Sequence, residues 1–422
     1  MRWKDWDRNL KIRLFGEAMM HFLFWAYFPF MTIFFQDAFG KGRAGILLMF
    51  SQALSVLASL VGGYCADRFG RRKMMSIAVA GQSITFLVFA FANSPWLSSS
   101  ALTFAAFSFL GIWSALYWPA SHAMVADVVK EKHRASVFAV FYTSLNIAVV
   151  VGPLIGTILF YSYRFQMLLA GFTLTSILFV IMQVFIRETV PEQKQAKADH
   201  GTWYKAVWQE LQTYRLIAQD RTFLLFIVAG VLVAQTFMQL DILIAVYTSE
   251  VIANQTVFAI GDFSLQVDGK QAFSLILALN GLLVALLTVY ITKLVTKFRI
   301  ARVFVASSIA YAAGIWLYGL TESFWIFVTA MVLFTMGELM VVGLQESFVA
   351  TLASEESRGQ YFSAASLRFT LGKLLAPLSL VLVSYISYQL TFTILAMLAL
   401  LSAFVYQAMF KRYHKEQRAS SS

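Results

Sequence analysis

Gly63-Tyr64-Cys65-Ala66-Asp67-Arg68-Phe69-Gly70-Arg71-Arg72-Lys73 separates two long apolar stretches and sets one acid and four cations within eleven residues. Two membrane spans joined by so short a basic hairpin need glycines where backbones pack closely, and cations that stay on the cytoplasmic side. The segment therefore predicts both a membrane fold and its orientation. Asp67, at the inner end of the second span, is the residue that topology alone does not explain.

Hydrophobic residues make up 59% of the 422 and charged residues 13%, too little polar surface for a water-soluble globule of this length. A helix needs about 20 apolar residues to cross roughly 30 Å of hydrocarbon. The chain offers such windows at 12–36, 44–66, 74–93, 99–126, 135–161, 165–186, 222–249, 272–292, 300–320, 324–350, 361–385 and 388–410. Of the 33 Lys and Arg, 27 fall on alternate loops and the two terminal segments. Only Lys41, Arg43, Arg164 and Lys270 fall on the opposite side, and Arg368 and Lys373 lie inside a span. The positive-inside rule then places both termini in the cytoplasm and the chain in the plasma membrane as a multi-pass protein. This distribution accounts for the net charge of +11 without a nucleic-acid partner. The first apolar stretch has no small-residue cleavage site after it and reads as a retained span. The single Cys65 leaves no intramolecular disulfide and no multi-cysteine metal site.

A polar segment, 188–221, divides the chain into two sets of six spans, 1–187 and 222–422. Within it Trp203, Tyr204, Val207, Trp208, Leu211 and Tyr214 recur at helical spacing, the pattern of an amphipathic helix lying on the inner membrane surface. An internal repeat supports the division. Glu131-Lys-His-Arg134-Ala-Ser-Val-Phe138 recurs as Glu355-Glu-Ser-Arg358-Gly-Gln-Tyr-Phe362, and the same offset carries Pro153 onto Pro377 and Gly152 onto Ala376. Duplicated halves of this kind place a binding site near the bilayer midplane and work by alternating access.

Gly63-x-x-x-Asp67-Arg68-x-Gly70-Arg71-Arg72 resembles the loop signature between the second and third spans of the major facilitator superfamily. Ala148-x-x-x-Gly152-Pro153-x-x-Gly156 is similar to the fifth-span signature of its proton-coupled drug exporters, with Ala for the usual first Gly. Trp6-Asp-Arg-Asn-Leu-Lys-Ile-Arg13, Met238-Gln-Leu-Asp241 and Met336-Gly-Glu338 resemble the LmrP-type multidrug/proton antiporters. The resemblance implies an all-α polytopic fold of twelve transmembrane helices in two pseudo-symmetric six-helix bundles. It also implies that the carboxylates matching Asp67, Asp127, Asp241 and Glu338 serve proton coupling and conformational switching. A further carboxylate of that group, in span five, falls at Phe141 here, and the span-four Arg of many drug/proton antiporters falls near Phe107.

The residues make their own case. An isolated ionised acid in hydrocarbon costs several kcal/mol, so Asp241 and Glu338 must face a wet cleft or sit protonated, and such groups exchange a proton for a cation. Glu338 falls near the middle of span ten, and Asp241 about 9 Å outward of the centre of span seven at 1.5 Å per residue. Glu346 and Arg368 lie at similar depths and predict an ion pair or a gate. Lys373 lies near enough in depth to neutralise Glu338. Glu17 is expected to snorkel or to pair with Arg13, and His21 and His122 to pack or hydrogen-bond. The small face of Gly152 and Gly156, with Pro153 loosening the helix, suits tight packing of spans from the two halves. Phe22, Phe24, Trp25, Tyr27, Phe28, Trp113, Tyr117 and Trp118 supply faces for flat lipophilic cations.

These readings converge on proton-coupled efflux of lipophilic cationic drugs or dyes, with a dedicated metabolite or lipid-like molecule as the alternative cargo. Protons, a small-molecule substrate and membrane lipid are the expected partners of a monomer that needs no cofactor. Asp241 and Glu338 are the proton-coupling candidates, and Gly63, Asp67, Arg68, Gly70, Arg71, Asp127 and Arg134 the conformational switch. In that switch Asp67 acts as a cytoplasmic latch on Arg134, Arg71 or the inner end of span eleven. No His-Glu-x-x-His site, Gly-x-Ser-x-Gly elbow or phosphate-cradling loop supports an enzyme, and a non-transporting sensor has no motif in its favour.

Overall fold

Gly40 and Gly70 adopt φ of +79° and +98°, a backbone region open mainly to glycine, and each ends one long helix and starts the next. They separate α1 (Arg8–Phe39), α2 (Lys41–Phe69) and α3 (Arg71–Phe91). The computed structural model describes residues 6–189, 220–260, 263–352 and 358–420, so the amphipathic helix expected in the linker and the acidic start of the second repeat lie outside the described residues. A short hairpin of β1 (Asn93–Ser94) and β2 (Leu97–Ser98) leads into α4 (Ser100–Val128), α5 (Glu131–Ser162) and α6 (Arg164–Phe185).

The second half opens with a span that does not run through. α7 (Arg221–Phe237) tightens into a 3₁₀ turn at Met238–Asp241, breaks at Ile242 (φ −120°, ψ −86°) and resumes as α8 (Leu243–Val251). An antiparallel hairpin follows, β3 (Gln255–Ile260) with β4 (Phe263–Val267). Next come α9 (Gly269–Val295), α10 (Ile300–Tyr318) and α11 (Phe324–Leu352). The eleventh span, expected as one helix over 361–385, is instead α12 (Arg358–Ala365), α13 (Leu367–Leu375) and α14 (Leu378–Val383). Pro377 cannot donate a backbone hydrogen bond and marks the second break, whereas Pro153 sits inside an unbroken α5. α15 (Tyr388–Ser420) closes the chain. Among the described residues eleven stretches are long and apolar enough to cross a membrane, counting Arg221–Val251 as one. The segmented eleventh span completes the twelve.

The chain forms two compact units, Met1–Met31 with Phe50–Gln209, and Thr32–Met49 with Glu210–Ser422. The hairpin that joins α1 to α2 thus packs with the second unit although it belongs to the first half by sequence. In the first unit Met74, Met75, Ala78 and Val79 of α3 pack on Tyr117, Ala120 and Met124 of α4 and on Leu178 and Met182 of α6. In the second, the core is aromatic. Phe226, Phe304, Phe348, Tyr406 and Phe410 meet at ring separations of 5.0–5.5 Å along their closest pairs. Large apolar side chains such as Ile84, Leu286 and Phe404 point outward, as on a surface solvated by lipid.

Candidate functional site

Asp241 ends the 3₁₀ turn at the break of span seven, and its Oδ1 is buried without a hydrogen-bond partner. Lys373 of α13 lies within electrostatic range of it. The ammonium therefore acts on Asp241, whereas the sequence placed it with Glu338. Glu338 accepts a hydrogen bond of 3.2 Å from the Asn280 amide of α9, which also donates to Thr335 at 3.0 Å. Ser307 Oγ donates to the Gly337 carbonyl at 2.6 Å and fixes the neighbouring backbone.

Gln239, fully buried, ties the two breaks together. Its amide donates to the carbonyls of Gln235 (3.0 Å) and Ala376 (3.2 Å), and its Oε1 accepts from Ser379 Oγ at 2.7 Å. The Gln239 amide thus bonds one backbone carbonyl at each break, that of Ala376 also accepting from the Ser379 amide at 3.1 Å. Sequence reasoning missed Gln239, Asn280 and Ser379. Their signal was available, since amides and hydroxyls within an apolar span are there to bond across helices.

Arg368 is almost fully buried on the other side of span eleven. Its Nη1 donates to Gln345 Oε1 at 3.0 Å and its Nε to the Ala365 carbonyl at 2.8 Å, and the guanidinium lies 4.3 Å over the Phe226 ring. Glu346, the partner expected from depth, is largely exposed and reaches only 3.8 Å. Gly230 provides the bed, because a Cβ there would run into the Arg368 side chain.

At the motif turn Arg71, buried to 4% exposure, pairs with Asp67 at 2.5 Å and approaches Asp127 at 3.4 Å. Of the partners expected for Asp67, Arg71 is thus in contact, while the Arg134 side chain lies outside the described residues. Asp127 also accepts from Thr189 Oγ1 at 3.2 Å. Glu188, read from sequence only as the start of the linker, accepts from the Arg71 and Arg72 amides at 2.9 and 3.1 Å and caps α3. Arg68 turns to the Tyr64 hydroxyl at 2.9 Å. The glycines divide the work unexpectedly. Gly70 supplies the positive φ and leaves room for Glu188, whereas a Cβ on Gly63 would meet nothing within 4 Å, and Gly62 is the residue that packs on α4.

Glu17 does not snorkel. Its Oε1 accepts from Arg13 Nε and Nη2 (3.0 and 2.7 Å), Tyr117 (3.1 Å) and Ser121 (2.5 Å), all four residues being buried. Phe141 stands 5.0 Å from the Arg13 guanidinium as a cation–π partner. His21 stacks on Trp118 at 5.0 Å, and His122 meets the same ring edgewise.

The small face of α5 serves the first unit internally. A Cβ on Gly152 would stand 2.6 Å from Trp25 Cβ, and one on Gly156 would enter the Ala26 backbone, so both glycines admit α1. Gly372 of α13 does the same for Ala234 and Gln235 of α7. The first and fifth spans of each half therefore meet through small residues. Of the aromatic set, Tyr27 is buried against Phe86 and Phe89, Trp113 donates to Thr85 at 3.2 Å, and Phe24, Phe28 and Phe107 stack in series.

The family model described as Major Facilitator Superfamily matches residues 14–377 and 252–422. The chain belongs to the major facilitator superfamily. It is 49% identical, over 100% of both chains, to the "Na(+), Li(+), K(+)/H(+) antiporter" of Planococcus maritimus. It is 29% identical over 44% of its length to the multidrug resistance protein MdtH of Salmonella arizonae, covering 45% of that protein. A crystal structure of a POT family transporter in complex with 5-aminolevulinic acid superposes with a TM-score of 0.75 at 16% identity, covering 94% of this chain and 95% of that one. This superfamily member is a transporter rather than an enzyme, with the twelve-helix architecture of its relatives.

Proposed function

We propose that this chain exchanges protons for monovalent metal cations across the plasma membrane, with both termini cytoplasmic, and that Asp241 and Glu338 carry the exchange. One observation carries the reading: a carboxylate at a helix break whose buried Oδ1 has no hydrogen-bond partner. Such an atom is free to take a proton or a cargo cation, and the two compete for one charge. Lys373 supplies a tethered positive charge that holds Asp241 when neither is bound. Antiport follows if the accessible states of the protein hold proton and cation with different affinity. Full-length likeness to a Na(+), Li(+), K(+)/H(+) antiporter supports the choice of cargo. In everted vesicles, sodium, lithium or potassium chloride should discharge a preformed proton gradient, and Asp241→Asn and Glu338→Gln should each cut that activity at least about tenfold, as loss of an intramembrane ion ligand does. Full activity in both variants, with normal insertion, would sink the assignment.

Efflux of lipophilic cations is the second reading. The partial likeness to MdtH and the stacked Phe24, Phe28 and Phe107 favour it. Proton-driven extrusion of a cationic dye, inhibited by sodium and lost with the same two carboxylates, would put both cargoes on one site.

A further inference from the structure

Asn280 lies near the middle of the 27-residue α9 and Glu338 near the middle of the 29-residue α11, so both stand at midspan. An amide at that depth is there for what it bonds. Its Nδ2 donates to Glu338 Oε2 at 3.2 Å and to Thr335 Oγ1 at 3.0 Å, while Asn280 Oδ1 and Glu338 Oε1 take part in neither bond. Thr335 and Glu338, three residues apart on one helix, present their oxygens on the same face. The amide nitrogen therefore fills the place between a carboxylate oxygen and a hydroxyl oxygen, a place that suits positive charge.

Thr335 directs its own proton to the Met331 carbonyl at 2.8 Å, which leaves its lone pairs for Asn280 and Glu338. The hydroxyl is thus an acceptor here, whether its partner is an N–H or a metal ion. Asn280 and Thr335 are buried at 5% and 0% exposure, whereas Glu338 is only half-buried and stays open to an incoming ion. The backbone beneath it is held. A Cβ on Gly337 would stand 3.0 Å from both the Ser307 carbonyl and the Tyr311 ring of α10, and Ser307 Oγ donates to the Gly337 carbonyl at 2.6 Å. The two intramembrane acids also differ in their neighbours, since Asp241 stands in the field of the Lys373 ammonium and Glu338 is bonded by an amide. An amide offers a donor or an acceptor according to which way it is turned, and an ammonium offers only donors.

We propose that Glu338, Asn280 and Thr335 form a seat for the transported monovalent metal cation, and that the Asn280 amide turns over when the ion arrives. In the empty seat Nδ2 donates to the two oxygens. In the loaded seat Oδ1 joins them, and three oxygens from α9 and α11 replace part of the ion's hydration shell. A proton on Glu338 removes the charge that holds the ion, so protonation and loading exclude one another at this seat. The seat deepens the reading of the chain as a cation/proton antiporter and rests on it, so its test includes binding measured without transport.

Purified full-length protein in detergent is heated in sodium chloride or in choline chloride at equal ionic strength. Sodium should raise the unfolding temperature of the wild type saturably, as a ligand of the folded state does, and no sodium effect would overturn the seat. Asn280→Leu and Thr335→Val, which keep the volume and lose the oxygen, should each raise the half-saturating sodium concentration about tenfold. Thr335→Ser keeps the hydroxyl and should stay near the wild-type value. Glu338→Gln, the change least able to disturb folding, should abolish the sodium effect, and its persistence would overturn the seat even if the apolar variants do not fold. An unchanged half-saturation in both apolar variants, or a serine variant as weak as the valine one, would do the same. In everted vesicles Asn280→Leu and Thr335→Val should raise the sodium KM about tenfold with kcat less affected. Sodium stabilisation weakened by these variants, in a protein that discharges no proton gradient, would keep the seat and remove the antiport reading. Sodium/proton exchange with an unaltered KM in both variants would keep antiport and remove the seat.

Discussion

Arg71 is held by two carboxylates of unequal exposure, Asp67 at 57% and Asp127 at 15%. Water screens the first pair and leaves the second, though longer at 3.4 Å, in surroundings of lower effective dielectric constant, so the motif acid that stands out in the sequence is expected to be the weaker anchor. Asp127→Asn should cost about 2 kcal/mol of stability, as for a partly buried hydrogen bond to a charged group, while Asp67→Asn should cost less than about 1 kcal/mol. Thermal unfolding in detergent with both variants checks the order, and equal losses would mean that burial does not set it. Asp67→Asn should nevertheless slow transport, because Arg71 then loses the partner that can let go. The turn itself was legible in the sequence through Gly70 and its flanking cations. Glu188, which caps α3 from 117 residues away, was not, because no local spacing reports a partner brought in by the return of a later span.

At the scale of the element, glycine alone does not announce its reason. The reading of Gly63 as a site of close approach failed, since the space beside it is open, and the contact belongs to Gly62 one residue earlier. A shift of one residue turns a helical side chain by about 100°, and a single sequence does not reveal which glycine of a pair faces the neighbour. Gly156→Ala should destabilise the protein by about 1–3 kcal/mol, the usual cost of overpacking, because its Cβ enters the Ala26 backbone. Gly63→Ala should be neutral or stabilising by up to about 1 kcal/mol through restored helix propensity. Thermal shifts of the two variants in detergent would decide, and a Gly63→Ala loss as large as that of Gly156→Ala would refute the assignment. The broken spans were illegible for a related reason. Met238-Gln-Leu-Asp241 has no helix breaker, and its turn is drawn out by bonds from Gln239 to span eleven, a tertiary effect that overrides propensity. Pro377 and Pro153 occupy matching places in the repeat, yet only the former lies at a break.

For the molecule as a whole, the lopsided distribution of cations predicts an orientation, and the ends of the helices locate where it can be read. Trp96, between β1 and β2, and Tyr385, between α14 and α15, are strongly exposed at one end of their spans. Thr296, after α9, is exposed at the end that carries Lys293, Lys297 and Arg299. Positive charge on short loops resists translocation, so the Thr296 end should face the cytoplasm and the Trp96 and Tyr385 end the outside. In a Cys65→Ala background, Trp96→Cys and Tyr385→Cys should react with a membrane-impermeant maleimide in intact cells. Thr296→Cys should react only in everted vesicles or after permeabilisation. The opposite pattern would invert the transporter, and with it the side from which Asp241 and Glu338 exchange protons, so this labelling fixes the direction in which every other transport test is interpreted.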